Sequence, residues 1–197
     1  MHKRTILPAL VGTLLLAACG GNEPPQQVQP QPDSAALAAE RARQAELEEQ
    51  RRREAAERER LRREEEARRR AEEEAARARE IIEQMVHFEF DKSDIGPEAE
   101  RILTEKVGVL RANPAVSLRI VGHADERGSD EYNIALGMRR AQAVKTFLTG
   151  FGLAPDRFET VSRGEEQPLN PASNEMAWAQ NRRAEFVVTA GQVTKLQ

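Results

Sequence analysis

Cys19 is the only cysteine in this 197-residue chain, and His2, His87 and His123 are the only histidines. One thiol forms no internal disulfide and no cysteine-based zinc cluster, and so few imidazoles do not support a zinc site with several His ligands. A serine triad around His123 and Asp125 would need an activated serine, yet no G-x-S-x-G elbow occurs. The expectation is therefore no enzyme, no metal site and no cofactor. Between Gly122 and Ala141 the chain carries Asp125, Glu126, Arg127, Asp130, Glu131, Asn133, Arg139 and Arg140.

Two kinds of periodicity surround that stretch. From Ala35 to about Gln84 nearly every residue is Ala, Glu, Arg, Gln or Leu, all strong helix formers, and neither Gly nor Pro interrupts them. Glu precedes Arg by four at Glu48/Arg52, Glu49/Arg53, Glu54/Arg58, Glu59/Arg63, Glu64/Arg68, Glu65/Arg69, Glu66/Arg70 and Glu73/Arg77. That is the favoured orientation for helical ion pairs, at about 0.2 to 0.5 kcal/mol each. Leu37, Leu47 and Leu61 stand isolated among Ala and charges, short of the apolar repeat that a sustained coiled coil wants. The pattern over 35–85 favours a single solvated helix, which would reach some 75 Å at about 1.5 Å per residue. A coiled coil and a charged, partly disordered segment are the alternatives.

At Val86 the period changes to two: Val86, Phe88 and Phe90 alternate with His87 and Glu89, the mark of a half-buried strand. Pro97 with Glu98 and Glu100 predicts a helix start, Leu103, Val107 and Leu110 share one face, and Asn113-Pro114 ends it. A strand follows from Val116 to Gly122. After the polar turn Arg127-Gly128-Ser129, a second helix carries Leu136, Val144 and Phe147 or Leu148, and stops near Gly150 or Gly152. Strands at about Phe158 to Ser162 and Ala184 to Thr189 flank a short helix around Ser173 to Gln180, where Trp178 reads as a packing anchor and Arg183 as structural. The expected fold class is α/β, an α+β sandwich: β-α-β-α-β-(α)-β over 86–190, preceded by the long charged helix. That length suffices for an independent core.

Hydrophobic residues make up 39%, aromatics 4% and charged residues 32% of the chain, so part of it builds no core. The net charge of −3 opposes a general affinity for nucleic acid. Residues 1–18 have the layout of a secretory signal peptide: His2, Lys3 and Arg4, the apolar run Ile6 to Leu16, and small residues before Cys19. That run is shorter than the roughly 20 residues that span a bilayer. Cleavage there would leave 28 basic and 33 acidic residues, a net charge of −5. Within 19–34, Gly20 to Ser34 is rich in Gly, Pro and Gln and reads as an extended tether; 191–197 reads as a tail. Leu16-Ala17-Ala18-Cys19 resembles the lipobox of bacterial lipoproteins, which implies acylation of Cys19. Each buried CH₂ adds about 0.8 kcal/mol, so two or more acyl chains anchor stably. Gly20 after the Cys, in place of Asp, implies export to the outer membrane. The expected location is the outer membrane, through the lipid anchor, facing the periplasm.

Gly122-His123-Ala124-Asp125-Glu126-Arg127-Gly128, continuing through Tyr132-Asn133 to Arg139-Arg140-Ala141, resembles the OmpA-like C-terminal domain family, most closely its peptidoglycan-associated lipoproteins. Phe88-Glu89-Phe90-Asp91 with Ser93-Asp94-Ile95 upstream and Asn181-Arg182-Arg183-Ala184 downstream agree, and the resemblance covers about Val86 to Thr189. It implies a mixed sheet and non-covalent binding of peptidoglycan through the diaminopimelate of its stem peptide. A residue with both carboxylate and ammonium groups calls for an anionic acceptor beside a cationic fork, which Asp and Arg supply. By position in the motif the resemblance assigns that pair to Asp125 and Arg140, pocket-shaping helical positions to Asn133 and Leu136, and positions near the rim to Phe90, Asp91 and Arg182. It further implies the periplasmic TolB and the other proteins of the Tol-Pal system as partners. The alternatives are an OmpA-like envelope lipoprotein without TolB and an oligomeric coiled-coil rod with the domain as a wall hook.

Overall fold

The computed structural model describes residues 33–196. Cys19, the leader before it and most of the tether lie outside the described residues, as does Gln197. The charged repeat forms one helix, α1 (Ser34–Glu83), and the chain divides into two compact units between Ala55 and Ala56. In the first unit every described side chain is exposed. Among the described residues, no helix is long and apolar enough to cross a membrane.

The ion pairs of α1 only partly follow the expected direction. Glu48/Arg52, Glu49/Arg53 and Glu59/Arg63 pair as read, but Arg60, Arg68 and Arg69 turn the other way, to Glu64, Glu72 and Glu73, and Arg62 lies between Glu59, at 2.7 Å, and Glu66, at 3.9 Å. Exposed guanidinium groups with a carboxylate on either side gain little from each in water, so orientation is weakly enforced.

The second unit adds β1 (Val86–His87), α2 (Pro97–Ala112), β2 (Ser117–His123), α3 (Asp130–Gly150), a 3₁₀ turn (Pro155–Arg157), β3 (Phe158–Gly164), α4 (Glu175–Asn181) and β4 (Arg183–Ala190). The sheet runs β1-β4-β2-β3, with β2 parallel to β3 and antiparallel to β4, and β4 antiparallel to β1. It is a mixed sheet, as expected. Leu118, Ile120, Phe158, Ala184 and Phe186 of the strands pack with Leu103, Val107 and Leu110 of α2 and Ala141, Val144 and Leu148 of α3. On the other face Arg119 and Val187, cross-strand neighbours, are exposed.

Sequence reading started the core at Val86, but the core also contains Ala78 and Ile82 of α1 and Val193 beyond β4. The buried Lys106 of α2 donates from Nζ to the carbonyls of Ile81 and Ile82 at 2.5 and 2.9 Å, giving partners to the C-terminal end of α1. Asn113 ties the tail down: its Nδ2 donates to the Lys195 carbonyl at 2.7 Å and its Oδ1 accepts from the Thr194 amide at 2.9 Å.

Strand β1 is shorter than the alternation over 86–90 suggests. The Phe88 amide still donates to the Arg182 carbonyl at 2.9 Å, but Asp91 then takes a left-handed φ of 55° and turns the chain away. Phe88 is therefore buried and Phe90 half-exposed, at 52%.

Candidate functional site

Three elements bring the charged stretch together. Strand β2 ends at His123 and delivers Asp125 just beyond it. Helix α3 starts where Ser129 Oγ accepts from the Tyr132 amide at 3.3 Å, with Asp130 and Glu131 favourably placed in the first turn. Tyr132, Leu136 and Arg140 then follow at intervals of four on one face. The helix crosses β2 closely because Gly122 faces Gly137: a Cβ on Gly122 would lie 1.9 Å from the Gly137 carbonyl oxygen. The turn after β1 supplies Phe90 and Asp91.

These residues enclose a cavity of about 160 Å³ lined by Phe90, Asp91, Asp125, Arg127, Tyr132, Leu136 and Arg140. A larger open cleft, about 930 Å³, lies between the end of α1 and α2, but no buried charged side chain lines it. Among the described residues, no group of three or more His, Cys, Asp or Glu is arranged to hold a metal ion.

Arg140 is fully buried and its guanidinium donates to three backbone carbonyls: Nη1 to His123 at 2.7 Å, Nε to Lys92 at 2.9 Å and Nη2 to Glu89 at 3.1 Å. No carboxylate pairs with it among the described residues. Burial lowers its pKa to about 10, so it stays charged at neutral pH. Asp125 is buried as well, at 4% exposure. Its Oδ2 accepts from Arg127 Nη2 at 2.8 Å and from Arg182 Nη1 at 3.2 Å, and its Oδ1 from the Arg127 amide at 3.1 Å and Nε at 3.2 Å. Burial opposes the charge of this carboxylate, but the hydrogen bonds from Arg127 and Arg182 outweigh it and hold the pKa below the usual value. The cavity thus offers a guanidinium held by neutral acceptors beside a carboxylate already saturated by cations, an arrangement that can receive a small anionic group.

Of the seven expected site residues, Asp125, Arg140, Leu136, Phe90 and Asp91 line the cavity. Asn133 is buried on α3, its amide bonded to Glu165. Arg182, expected near the rim, is buried behind Asp125, where Nε donates to the Phe88 carbonyl at 3.0 Å and Nη2 to Glu175 at 2.9 Å. His123 contributes its backbone carbonyl; its ring is buried and burial lowers its pKa to about 4. Asp91 and Tyr132 are joined by a hydrogen bond.

Sequence reasoning missed Tyr132 and Arg127 as site residues. The guanidinium of Arg127 stacks between the rings of Phe90, 3.9 Å from the centroid, and Trp178, at 4.2 Å. Trp178 therefore packs against the site rather than into the core. The spacing of Asp125 and Arg127 on one loop was the signal available for Arg127, and the helical interval of four for Tyr132.

Residues 87–182 match the model of the OmpA family. Peptidoglycan-associated lipoprotein of Pseudomonas putida is 48% identical over 102 residues, 51% of this chain and 60% of that protein. Its counterpart in Haemophilus influenzae is 48% identical over 99 residues, 50% of this chain and 65% of that protein. The match thus spans less than two thirds of either relative. The crystal structure of the peptidoglycan-associated lipoprotein from Burkholderia pseudomallei aligns at a TM-score of 0.52 and 38% identity, covering 54% of this chain and 90% of that one. All seven cavity residues fall inside the matched stretch, so the likeness takes in the site together with the fold, and the chain belongs to the OmpA family.

Proposed function

We propose that this chain is a lipoprotein of the outer membrane, anchored at Cys19, that binds peptidoglycan non-covalently through the diaminopimelate-containing stem peptide and so links membrane to wall. It binds and breaks no bond. The observation that carries this reading is Arg140, a buried guanidinium with only carbonyl partners, facing a small cavity that it shares with Asp125. A carboxylate is the complement such a guanidinium lacks, and the neighbouring Asp125 suits an ammonium once the Arg127 side chain gives up its share of that carboxylate. The cavity is below the usual range for drug-sized ligands, in keeping with the end of one amino acid side chain. The names of the relatives, peptidoglycan-associated lipoproteins, support the same ligand. A few charge-assisted bonds, about 1.5 to 3 kcal/mol each, give modest affinity, and a repeating wall polymer adds avidity.

The Tol-Pal role, with TolB as partner, is what the resemblance of the motif to the OmpA-like lipoproteins implies. A second reading keeps the wall ligand without TolB; the matched stretch, 87–182, does not include the charged helix α1. In either case α1 serves as a spacer.

Co-sedimentation of the full chain with purified peptidoglycan tests the proposal. Wild type should pellet, and Asp125→Asn and Arg140→Lys, checked for folding, should stay in solution. Wild type remaining soluble overturns it. Capture of purified TolB by the same chain separates the two readings.

A further inference from the structure

We infer that Arg127 is a built-in competitor for Asp125 that makes the site selective for a group bearing an ammonium and a carboxylate together, and closed to a bare amine. The inference rests on the proposed ligand and deepens it. A carboxylate has about four acceptor positions, and on Asp125 all are used: three by the amide, Nε and Nη2 of Arg127, and one by Nη1 of Arg182. An incoming ammonium finds no free acceptor there. Arg140, by contrast, gives single hydrogen bonds to three carbonyls and meets no carboxylate, so two of its five N–H groups remain for a ligand.

The two guanidinium groups on Asp125 differ in mobility. The Arg182 side chain is 7% exposed and fixed by the Phe88 carbonyl; that of Arg127 is 29% exposed and held laterally by the faces of Phe90 and Trp178 and by Glu175 at 3.1 Å. Arg127 is the group that can leave, because Glu175 still receives its charge when Asp125 is given up. A bare amine must displace it with nothing else gained. A zwitterionic centre docks its carboxylate on Arg140 first, and that binding drives the exchange at Asp125. Arg127 therefore sets specificity by occupying the position the ligand cation needs.

Titration calorimetry on the full chain tests this with three related probes: meso-diaminopimelate, pimelate, which lacks the amino groups, and cadaverine, which lacks the carboxylates. Wild type should bind diaminopimelate, bind pimelate more weakly and give no saturable signal with cadaverine. Arg127→Ala should bind diaminopimelate about tenfold more tightly and gain measurable cadaverine binding, abolished again by adding Asp125→Asn. A merely structural role for Arg127 would not open the site to a diamine. Arg127→Gln, which removes the charge with less loss of packing, should shift in the same direction. Unchanged or weaker diaminopimelate binding in both folded variants, with cadaverine still excluded, overturns the inference and makes Arg127 a ligand contact or a bystander. If wild type pellets with peptidoglycan while the variants do not, only this inference fails. If none binds any probe and wild type does not pellet, the peptidoglycan reading fails with it.

Discussion

The Lys106 ammonium lies 2.9 Å from the Ile82 carbonyl oxygen and 4.1 Å from the centroid of the Phe186 ring, so a cation of α2 closes the C-terminal end of α1 over the core. Burial is the largest influence on this amine and lowers its pKa to about 7, although Glu105 and Glu83 favour the charge. A neutral amine still has two N–H groups for the two carbonyls.

Stability should therefore rise with pH in the window above neutrality. The folded chain binds fewer protons than the unfolded one between about pH 7 and the ordinary lysine value near 10.4, so the penalty for a buried charge is relieved across that range. Urea denaturation at pH 7 and pH 9 should show wild type gaining roughly 1 to 3 kcal/mol relative to the same comparison in Lys106→Met. Equal changes in the two proteins would remove Lys106 as the cause.

Asp125 should matter to folding as well as to binding. Asp125→Ala leaves the buried Arg182 without its Oδ2 acceptor, a loss of about 3 kcal/mol; Asp125→Asn, which keeps an oxygen there, should lose less. Because the folded pKa is depressed, the stabilisation is present above the usual carboxylate range and disappears as pH falls through the lowered value. Acid denaturation of wild type beside Asp125→Asn should show the gap between them closing at low pH.

The contact of α3 with β2 leaves no room for a methyl group. Gly122→Ala would set a Cβ 1.9 Å from the Gly137 carbonyl oxygen, and Gly137→Ala would set one 2.4 Å from Ser162 Oγ. Each should destabilise by about 3 kcal/mol or more. Gly150→Ala, with nothing within 4 Å, should be neutral or slightly stabilising, and thermal melts of the three variants give the comparison.

A peptide of residues 34–74 should sediment as a monomer and lose helical circular dichroism as salt is raised, because its ion pairs are exposed and screened. A salt-insensitive, concentration-dependent spectrum would favour the coiled-coil rod through Leu37, Leu47 and Leu61.

Local pattern in the chain was enough for the elements. The Ala, Glu and Arg run specified α1 because its residues are helix formers that need no partner, and the switch to a period of two at Val86, with the Pro97 helix start after it, marked where the mixed domain begins. Within the motif from Gly122 to Arg140, the resemblance to the OmpA-like domains pointed to Asp125, Leu136 and Arg140, which line the cavity, while Arg127 and Tyr132 line it without having been read from the motif. What tertiary structure decided was their partners. Arg140 is held by the carbonyls of Glu89, Lys92 and His123, and backbone carbonyls have no side-chain signature to read. Arg182 passes behind Asp125 from 57 residues away, Trp178 reaches Arg127 across the fold, and Ile82 and Val193, outside the 86–190 stretch read as the domain, complete the core. Such contacts depend on where the chain returns in space, and neither residue type nor spacing records that return.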